Sequence, residues 1–299
     1  MAYIPVKVLE QKLLNFLQED IEYGDITSDL IPNIQVQATI VAKQEGILCG
    51  ITFVKILLES LGITVLNYFK DGQTIKPGDI ILQLKGSSRE ILVSERTVLN
   101  LLMRLSGIAT QTQKFGNKVK NAKQNIVIAS TRKTTPGFRY FEKYAVKIGG
   151  GDTHRFSLSD TVLIKENHLS LLGKKPIRSI LLQSQTSSSF TKKIDIEVEN
   201  LIEFKEALKL SPDIIMLDNF SSSDIRAAIE IMQKRTNHIR PLIEVSGGIS
   251  EQNIEKFLIP GVDIISIGSL THSVLAIDFS LKINGIVPFN SSGESNNDD

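Results

Sequence analysis

The sequence contains one cysteine, almost no net charge and no long uninterrupted apolar segment. The single cysteine cannot form an intrachain disulfide, and we expect Cys49, which follows an apolar run, to be structural. With 34 Lys and Arg against 33 Asp and Glu, the balance of charge argues against the basic surface typical of nucleic-acid-binding proteins. The most apolar early stretch, residues 47–66, is interrupted by Lys55 and Glu59, so no membrane span is expected.

Several kinds of functional signal are also missing. The first 16 residues lack the continuous apolar core of a signal peptide, so we expect a cytoplasmic protein. A Ser-His-Asp set, a zinc-ligand spacing and a P-loop are not recognisable. With 299 residues, 41% of them hydrophobic, the chain can form one large α/β barrel or two domains with a well-buried core.

Positive charge is concentrated between residues 131 and 168. Residues 126–128 and 161–164 are largely apolar and β-branched. Arg132 and Lys133 follow the first run after a short interval, and Lys165 follows the second directly. Cations at the ends of buried strands are typical of anion sites, and we expect a small polyanionic substrate. The cationic side chains of this stretch are Arg132, Lys133, Arg139, Lys143, Lys147, His154, Arg155, Lys165 and His168.

From residue 126 onward, apolar strands alternate with helical patterns. The alternation predicts parallel βαβ units in an open or closed α/β barrel, whose active site would lie at the carboxyl ends of the strands. Strands are predicted at 126–130, 161–165, 194–199, 213–218, 241–246 and 262–267, and helices at 201–210, 222–234 and 251–258.

The N-terminal third has a different pattern. A helix is predicted at 9–17, followed by short strands within 39–48 and 64–84. A further helix is predicted at 94–105 with Ser94 as its N-cap, which would place Arg96 in the first turn. Arg96 does not favour the helix dipole there, so it is either solvated or directed into a neighbouring site.

Two acidic residues are candidate metal ligands. Alternation along residues 194–199 predicts that Ile194, Ile196 and Val198 face the helices and that the intervening acids point inward. Glu197 and Asp218, on neighbouring strands, would then share one Mg²⁺ with substrate phosphates. Alternatively they neutralise Lys133 and Lys165, and the two roles can coexist.

Glycine turns follow the last two predicted strands. Ser246-Gly247-Gly248 and Gly268-Ser269 would let backbone N–H groups approach a phosphate. Nearby His272 either contacts the same phosphate or has an ordinary surface role.

A third glycine run, at 149–151, should end the helix predicted at 141–148 and bring His154 and Arg155 into the site. Arg132 is suited to bind a carboxylate bidentately, whereas Lys133 and Lys165 would act as point charges. We expect the remaining cations of the helix, Arg139, Lys143 and Lys147, to be solvated.

Ten motifs in order resemble those of the quinolinate phosphoribosyltransferase family, and the likeness extends from residue 19 to residue 282. They are GDITS at 24–28, SERTVLNLLMRLSGIAT at 94–110, TRKTTPGFR at 131–139, EKYAVKIGGG at 142–151, HR at 154–155, LIKENH at 163–168, EVEN at 197–200, DIIMLDN at 213–219, EVSGGI at 244–249 and VDIISIGSLTHS at 262–273.

The resemblance implies a two-domain α/β fold. An N-terminal α/β sandwich would span 1–115, with 275–289 packing back on it. An incomplete parallel α/β barrel would span 116–274, and the polar residues 290–299 would form a disordered tail. The family forms homodimers in which the N-terminal domain of one subunit covers the barrel of the other, so Arg96 would enter the partner's active site.

The resemblance also implies a reaction and its residues. A phosphoribosyl group passes from 5-phosphoribosyl 1-pyrophosphate to quinolinate, giving nicotinate mononucleotide, pyrophosphate and CO₂ in NAD biosynthesis. Positions that contact quinolinate in the family correspond to Arg96, Arg132, Lys133, His154, Arg155 and Lys165. Those for the donor sugar and Mg²⁺ correspond to Lys133, Glu197, Asp218, Ser246, Gly247, Gly248 and Gly268. Of these residues, Lys133, Lys165, Glu197 and Asp218 would be catalytic.

Two positions depart from the family pattern: many members have Asp at Ser130 and Asn at Thr153. Both flank anion-binding residues, so the affinity for substrate is expected to differ. Two other functions stay open, namely a phosphoribosyltransferase for another pyridine carboxylate such as nicotinate, and a non-catalytic phosphosugar-binding protein on the same barrel.

Overall fold

A computed structural model describes residues 4–171, 189–235 and 239–286, which form two compact units. The first unit consists of the described residues of Met1–Thr110 and Leu275–Asp299, and the second of those of Gln111–Val274. The predicted tail at 290–299 and residues 287–289 lie outside the described residues. No helix in the described ranges is long and apolar enough to cross a membrane.

The first unit is built on a four-stranded antiparallel sheet in the order β12-β1-β5-β3. These strands are β1 (Gln35–Ala42), β3 (Thr64–Tyr68), β5 (Ile80–Ser87) and β12 (Phe279–Ile286), and the short strands β2 (Gly46–Ile47) and β4 (Thr74–Ile75) pair separately. Helix α1 (Val6–Ile21) buries Leu9, Leu13 and Leu17, which lie on one face at a spacing of four residues. It packs against α2 (Ile51–Ser60).

The predicted start of the next helix was wrong. Helix α3 runs from Ser88 to Asn121, so Arg96 lies beyond its first turn. Ser94 is buried inside the helix, and its hydroxyl donates to the carbonyl of Ile91. The backbone N–H of Glu90 donates instead to Ser87 Oγ at 3.3 Å. Ser87 and Glu90 have the spacing of a capping box, a signal that marks the true start.

The second unit contains a six-stranded parallel sheet in the order β6-β11-β10-β9-β8-β7. The strands are β6 (Val127–Ala129), β7 (Val162–Ile164), β8 (Ile194–Val198), β9 (Ile214–Asp218), β10 (Leu242–Ser246) and β11 (Ile264–Ser266). Each lies within or beside its predicted range. Because β6 and β7 form opposite edges and do not pair in the described residues, the sheet is an open barrel, as predicted.

Helices alternate with the strands of this sheet along the chain, and those after β8 and β9 pack against it. The helices are α4 (Arg139–Ile148), α5 (Glu166–Leu171), α6 (Leu201–Lys209), α7 (Ser222–Gln233) and α8 (Ser269–His272). Ile194, Ile196 and Val198 are buried in one core cluster with Phe204 and Ala207 of α6, which confirms that this face of β8 meets the helices.

The helix predicted at 251–258 is reduced to a 3₁₀ turn, Ile254–Phe257. The side chain of Asn253 accepts a hydrogen bond from the backbone of Ser250 and donates one to the carbonyl of Gly248. A side chain that bonds to nearby backbone in this way competes with helix formation, so the earlier residues stay in a turn.

Candidate active site

Four of the cationic side chains between residues 131 and 168 line a cavity of about 630 Å³ in the second unit. They are Arg132, Arg155, Lys165 and His168. Lys192 also lines the cavity, and its apolar walls come from residues 158, 162 and 163. This volume is in the range of small-molecule sites. Lys192 was not predicted, because it lies in a polar segment and its proximity depends on the tertiary fold.

Helix α4 holds the two cationic loops in place. The carboxylate of Glu142, fully buried, accepts from the backbone N–H and the hydroxyl of Thr135 at 3.2 and 3.0 Å. The ammonium of Lys143 donates to the carbonyls of Thr153 and Arg155, the latter at 3.0 Å. One helix therefore fixes both the loop after β6 and the segment that contains His154 and Arg155.

The expectation that the cations of α4 are solvated was wrong for two of three. Lys143 is fully buried, and its pKa is lowered to about 8, chiefly because burial penalises the charged form and then because Arg139 repels it. The guanidinium of Arg139 donates to Thr134 Oγ1 at 2.9 Å and to the carbonyl of Phe156 at 3.0 Å. Only Lys147 is exposed. Helical spacing alone predicted that all three side chains face solvent. It could not show that the loops on either side of α4 cover Lys143.

The two positions that depart from the family pattern contact each other. Ser130 is buried, and its hydroxyl donates to the carbonyl of Thr153 at 3.1 Å, while its N–H donates to the carbonyl of Asp152 at 2.9 Å. The residues after β6 are thereby tied to the segment that leads to His154. The two departures from the family pattern therefore lie in segments that support the cationic cavity.

Lys165 and Glu197 form an ion pair between the ends of β7 and β8. The side chain of Glu197 is 11% exposed and that of Lys165 is 41% exposed, so the lysine can still reach a ligand. Asp218, at the end of β9, accepts a hydrogen bond from the side-chain amide of Asn219 at 2.7 Å. The alternative prediction, that the acids neutralise lysines, is therefore confirmed for Glu197 with Lys165.

Two further acids lie inside the barrel. Asp195 and Glu244 are fully buried, and Glu244 Oε2 is 3.0 Å from Nε2 of His154. Burial raises the pKa of the Asp195 carboxyl well above its usual value, and Glu244 adds to the rise while Arg155 opposes it. Alternation predicted that Asp195 points inward. Glu244 was missed, although it lies at the second position before the predicted phosphate turn.

A second cavity, of about 420 Å³, lies at the opposite ends of the strands. It is lined by residues at or next to the first positions of all six strands and also by His154 and Arg155. Arg155 lines both cavities, so it lies at the boundary between them. Burial, followed by repulsion from Arg132, lowers the pKa of the Arg155 guanidinium.

At the glycine turns after β10 and β11, an added side chain would meet neighbouring residues at short distance. Gly247 has φ +97°, and a Cβ there would lie 2.2 Å from Oδ1 of Asn219. A Cβ on Gly268 would meet Cδ of Lys133 at 3.0 Å. The loop of Lys133 also contacts α8, where Thr271 Oγ1 donates to the Lys133 carbonyl at 2.7 Å. Lys133 thus lies beside one of the two predicted phosphate turns.

Of the predicted site residues, all except Arg96 belong to the second unit. Arg96 is exposed on α3 in the first unit. His272, left open between two roles, hydrogen-bonds through Nδ1 with Ser273 Oγ at 2.5 Å.

Comparisons with known proteins agree with the motifs. Residues 108–282 match the model of the quinolinate phosphoribosyl transferase C-terminal domain, and residues 25–106 match that of the N-terminal domain. A probable nicotinate-nucleotide pyrophosphorylase [carboxylating] of Archaeoglobus fulgidus is 46% identical over 87% of this chain and 98% of its own length. The probable enzyme of the same description from Bacillus subtilis is 38% identical over 91% and 93%.

Among solved structures, the nicotinate-nucleotide pyrophosphorylase from Francisella tularensis is similar throughout. It aligns with a TM-score of 0.84 and 37% identity over 94% of this chain and 98% of its own. The similarity therefore includes both units.

Proposed function

The chain belongs to the quinolinate phosphoribosyltransferase family, and on that premise we propose that it converts quinolinate and 5-phosphoribosyl 1-pyrophosphate to nicotinate mononucleotide, pyrophosphate and CO₂. The observation that supports this most directly is the cavity in which Arg132, Arg155 and Lys165 converge. Its size suits a pyridine ring, and its cations suit two carboxylates.

In the proposed reaction the protein positions two anions against each other. The pyridine nitrogen of quinolinate attacks C1 of the donor sugar, and the bond from C1 to pyrophosphate breaks as the sugar becomes oxocarbenium-like. Glu197, which lies inside the barrel beside Lys165, would stabilise this positive charge. Holding both substrates in line supplies much of the rate enhancement, so no nucleophilic side chain is required.

Decarboxylation follows on the ribosylated ring. The bond between C2 and its carboxylate breaks, CO₂ leaves, and the electron pair stays on C2 until a proton replaces the carboxylate. The positive charge of the adjacent pyridinium nitrogen stabilises this pair electrostatically. Two cations would stabilise the electron pair on C2. They are Lys165, whose side chain is 41% exposed, and Lys133, which is exposed in the loop after β6.

The acids of neighbouring strands fit a Mg²⁺ ion. Glu197 of β8 lies opposite Met216 of β9, and Asp218 is two residues further along β9. Residues two apart on a strand share a face, so both carboxylates point to the inner face of the sheet. Within the described residues, each keeps one carboxylate oxygen without a protein partner. When bound there, Mg²⁺ would neutralise the departing pyrophosphate. The phosphates of the donor would rest on Ser246, Gly247, Gly248 and Gly268, whose turns allow close backbone approach.

We also propose that the enzyme is a homodimer with shared sites. Arg96 is exposed on α3, and an exposed arginine is suited to grip a carboxylate of a ligand bound to another subunit. In this arrangement Arg96 of one subunit completes the quinolinate site of the other.

A direct assay tests the reaction. Purified protein is incubated with quinolinate, phosphoribosyl pyrophosphate and Mg²⁺, and quinolinate loss and nicotinate mononucleotide are followed by chromatography. We expect product from quinolinate, none from nicotinate in a parallel reaction, and loss of activity with EDTA that excess Mg²⁺ restores. Product from nicotinate alone would refute the prediction that the cavity binds a dicarboxylate. Calorimetric binding of the substrates without turnover would point to a non-catalytic protein.

A further inference from the structure

The segment that brings Arg155 to the cavity has an unusual backbone. His154 adopts φ +50°, a left-handed conformation that is uncommon for residues other than glycine. Its N–H donates to Oδ1 of Asp152 at 2.7 Å, and the ammonium of Lys143 binds the carbonyls on either side of it. Strain of this kind persists only where the surroundings hold the residue from several directions.

Glu244 holds the same residue from the inside of the barrel. It lies in the middle of β10, is fully buried, and has its Oε2 at 3.0 Å from Nε2 of His154. A carboxylate can only accept, so Nε2 is the ring nitrogen that donates, and Nδ1 is left for other partners. In the described part of the chain, Oε1 of Glu244 has no hydrogen-bond partner, so His154 supplies the hydrogen bond to this buried carboxylate, and the positive charge of Arg155 adds to it.

We propose that Glu244 is a positioning residue for quinolinate, an inference that rests on the proposed function. By accepting from Nε2–H it fixes the ring of His154 and the left-handed turn beneath it. The next residue, Arg155, is thereby held at the boundary of the two cavities, where it faces Arg132 and Lys165. Lys143 fixes the segment from the helix side and Glu244 from the barrel side, so removal of either contact frees Arg155 to move.

A metal ion is the competing occupant of this cluster. One ligand atom each from His154, Asp195 and Glu244 lie within 4.8 Å of one another. Two observations favour the hydrogen-bonded arrangement. Nε2 of His154 already has Glu244 as a partner, and Arg155 supplies positive charge that attracts both carboxylates.

Steady-state kinetics of two Glu244 variants test the inference. Glu244→Leu removes the acceptor with little change of volume, whereas Glu244→Gln keeps an acceptor but not the charge. We expect the KM for quinolinate to rise about 10-fold or more in Glu244→Leu and less in Glu244→Gln. The KM for phosphoribosyl pyrophosphate should stay within about twofold. Glu206→Gln, an exposed acid on α6, is the matched control.

Histidine NMR supplies a readout that does not need turnover. The chain has four histidines, so the ¹⁵N signals of His154 can be assigned by comparison with His154→Gln. We expect protonated Nε2 in the wild type, with displaced ring signals in Glu244→Leu. If the wild type failed to convert quinolinate, the proposed function would fail, while these spectra would still decide whether Glu244 fixes the ring.

Three results would overturn the inference. An unchanged quinolinate KM in Glu244→Leu would show that the contact does not position Arg155. Equal losses for both substrates, together with a lower melting temperature, would show a purely structural role. Stoichiometric binding of Mn²⁺ or Zn²⁺ by the substrate-free wild type, lost in Glu244→Leu, would make the cluster a metal site instead.

Discussion

At the scale of single residues, the balance of buried charge decides how the cavity works. Arg132 and Arg155 repel each other, and Nε of Arg132 is buried without a hydrogen-bond partner among the described residues. Two cations that lie close together repel each other, and a dianion bound between them would offset that repulsion. Lys165 differs, because Glu197 already pairs with it.

Replacing Lys165 with Met should abolish most turnover. The variant loses the cation that faces both the cavity and Glu197, so we expect kcat to fall by about 10²- to 10³-fold. Chromatographic product formation measures the effect, and circular dichroism should show an intact fold. Lys147→Met, which changes an exposed lysine, should keep wild-type kinetics. Near-normal turnover in Lys165→Met would contradict the catalytic role that we propose for Lys165.

Lys143 should make stability rise with pH on the alkaline side. Its pKa is about 8 in the folded protein and its usual value is 10.5, so between these values the unfolded chain binds more protons. The free energy of unfolding of the wild type should therefore increase, relative to Lys143→Met, by up to about 3 kcal/mol from pH 8 to 10.5. Urea denaturation at several pH values measures this difference, and parallel curves for both proteins would disprove the buried-charge assignment.

At the scale of secondary-structure elements, short loops carry the proposed binding residues, and neighbouring elements hold these loops in place. Helix α4 ties down Thr135 and the carbonyls of Thr153 and Arg155. The turn after β10 is fixed because the N–H of Asn219 donates to the carbonyl of Ser246 at 2.9 Å. Hydrophobic periodicity predicted these elements correctly. It did not predict which side chains of α4 bind the loops, because in the sequence Lys143 cannot be distinguished from an exposed polar residue of the helix.

Gly247→Ala should damage the turn after β10. The added Cβ meets Asn219 at 2.2 Å, and φ +97° is strained for alanine, so unfolding should become easier by about 1–3 kcal/mol. The KM for phosphoribosyl pyrophosphate should rise more than that for quinolinate, because the proposed phosphate contacts lie in this turn. Gly116→Ala, in α3 with open space around it, is the control and should be neutral or stabilising. Equal behaviour of the two variants would rule out the close-approach argument.

At the scale of the whole molecule, the proposed shared site makes activity depend on the assembly. Arg96→Ala and Lys165→Ala subunits should each be inactive as homodimers and regain activity after mixing and exchange. Random pairing makes half of the dimers hybrid with one intact site each, so we expect about a quarter of wild-type activity. Lys165→Ala mixed with Glu197→Gln should regain nothing, because both changes lie in the barrel unit. No recovery in the first mixture would refute the contribution of Arg96.

The sequence alone was enough for the strands, the order of the motifs and the polar residues at the strand ends, because these depend on local alternation and on short contiguous segments. Tertiary structure decided which distant residues meet. His154 and Glu244 are 90 positions apart, and Lys165 and Glu197 are 32 apart. Contacts of this kind arise when parallel strands are brought side by side in the order β6-β11-β10-β9-β8-β7, which no single segment specifies. Lys143 and Glu244 stabilise the site because they are buried. A polar or charged group removed from water is stable only with a partner in the fold, and their partners are the segments of the site.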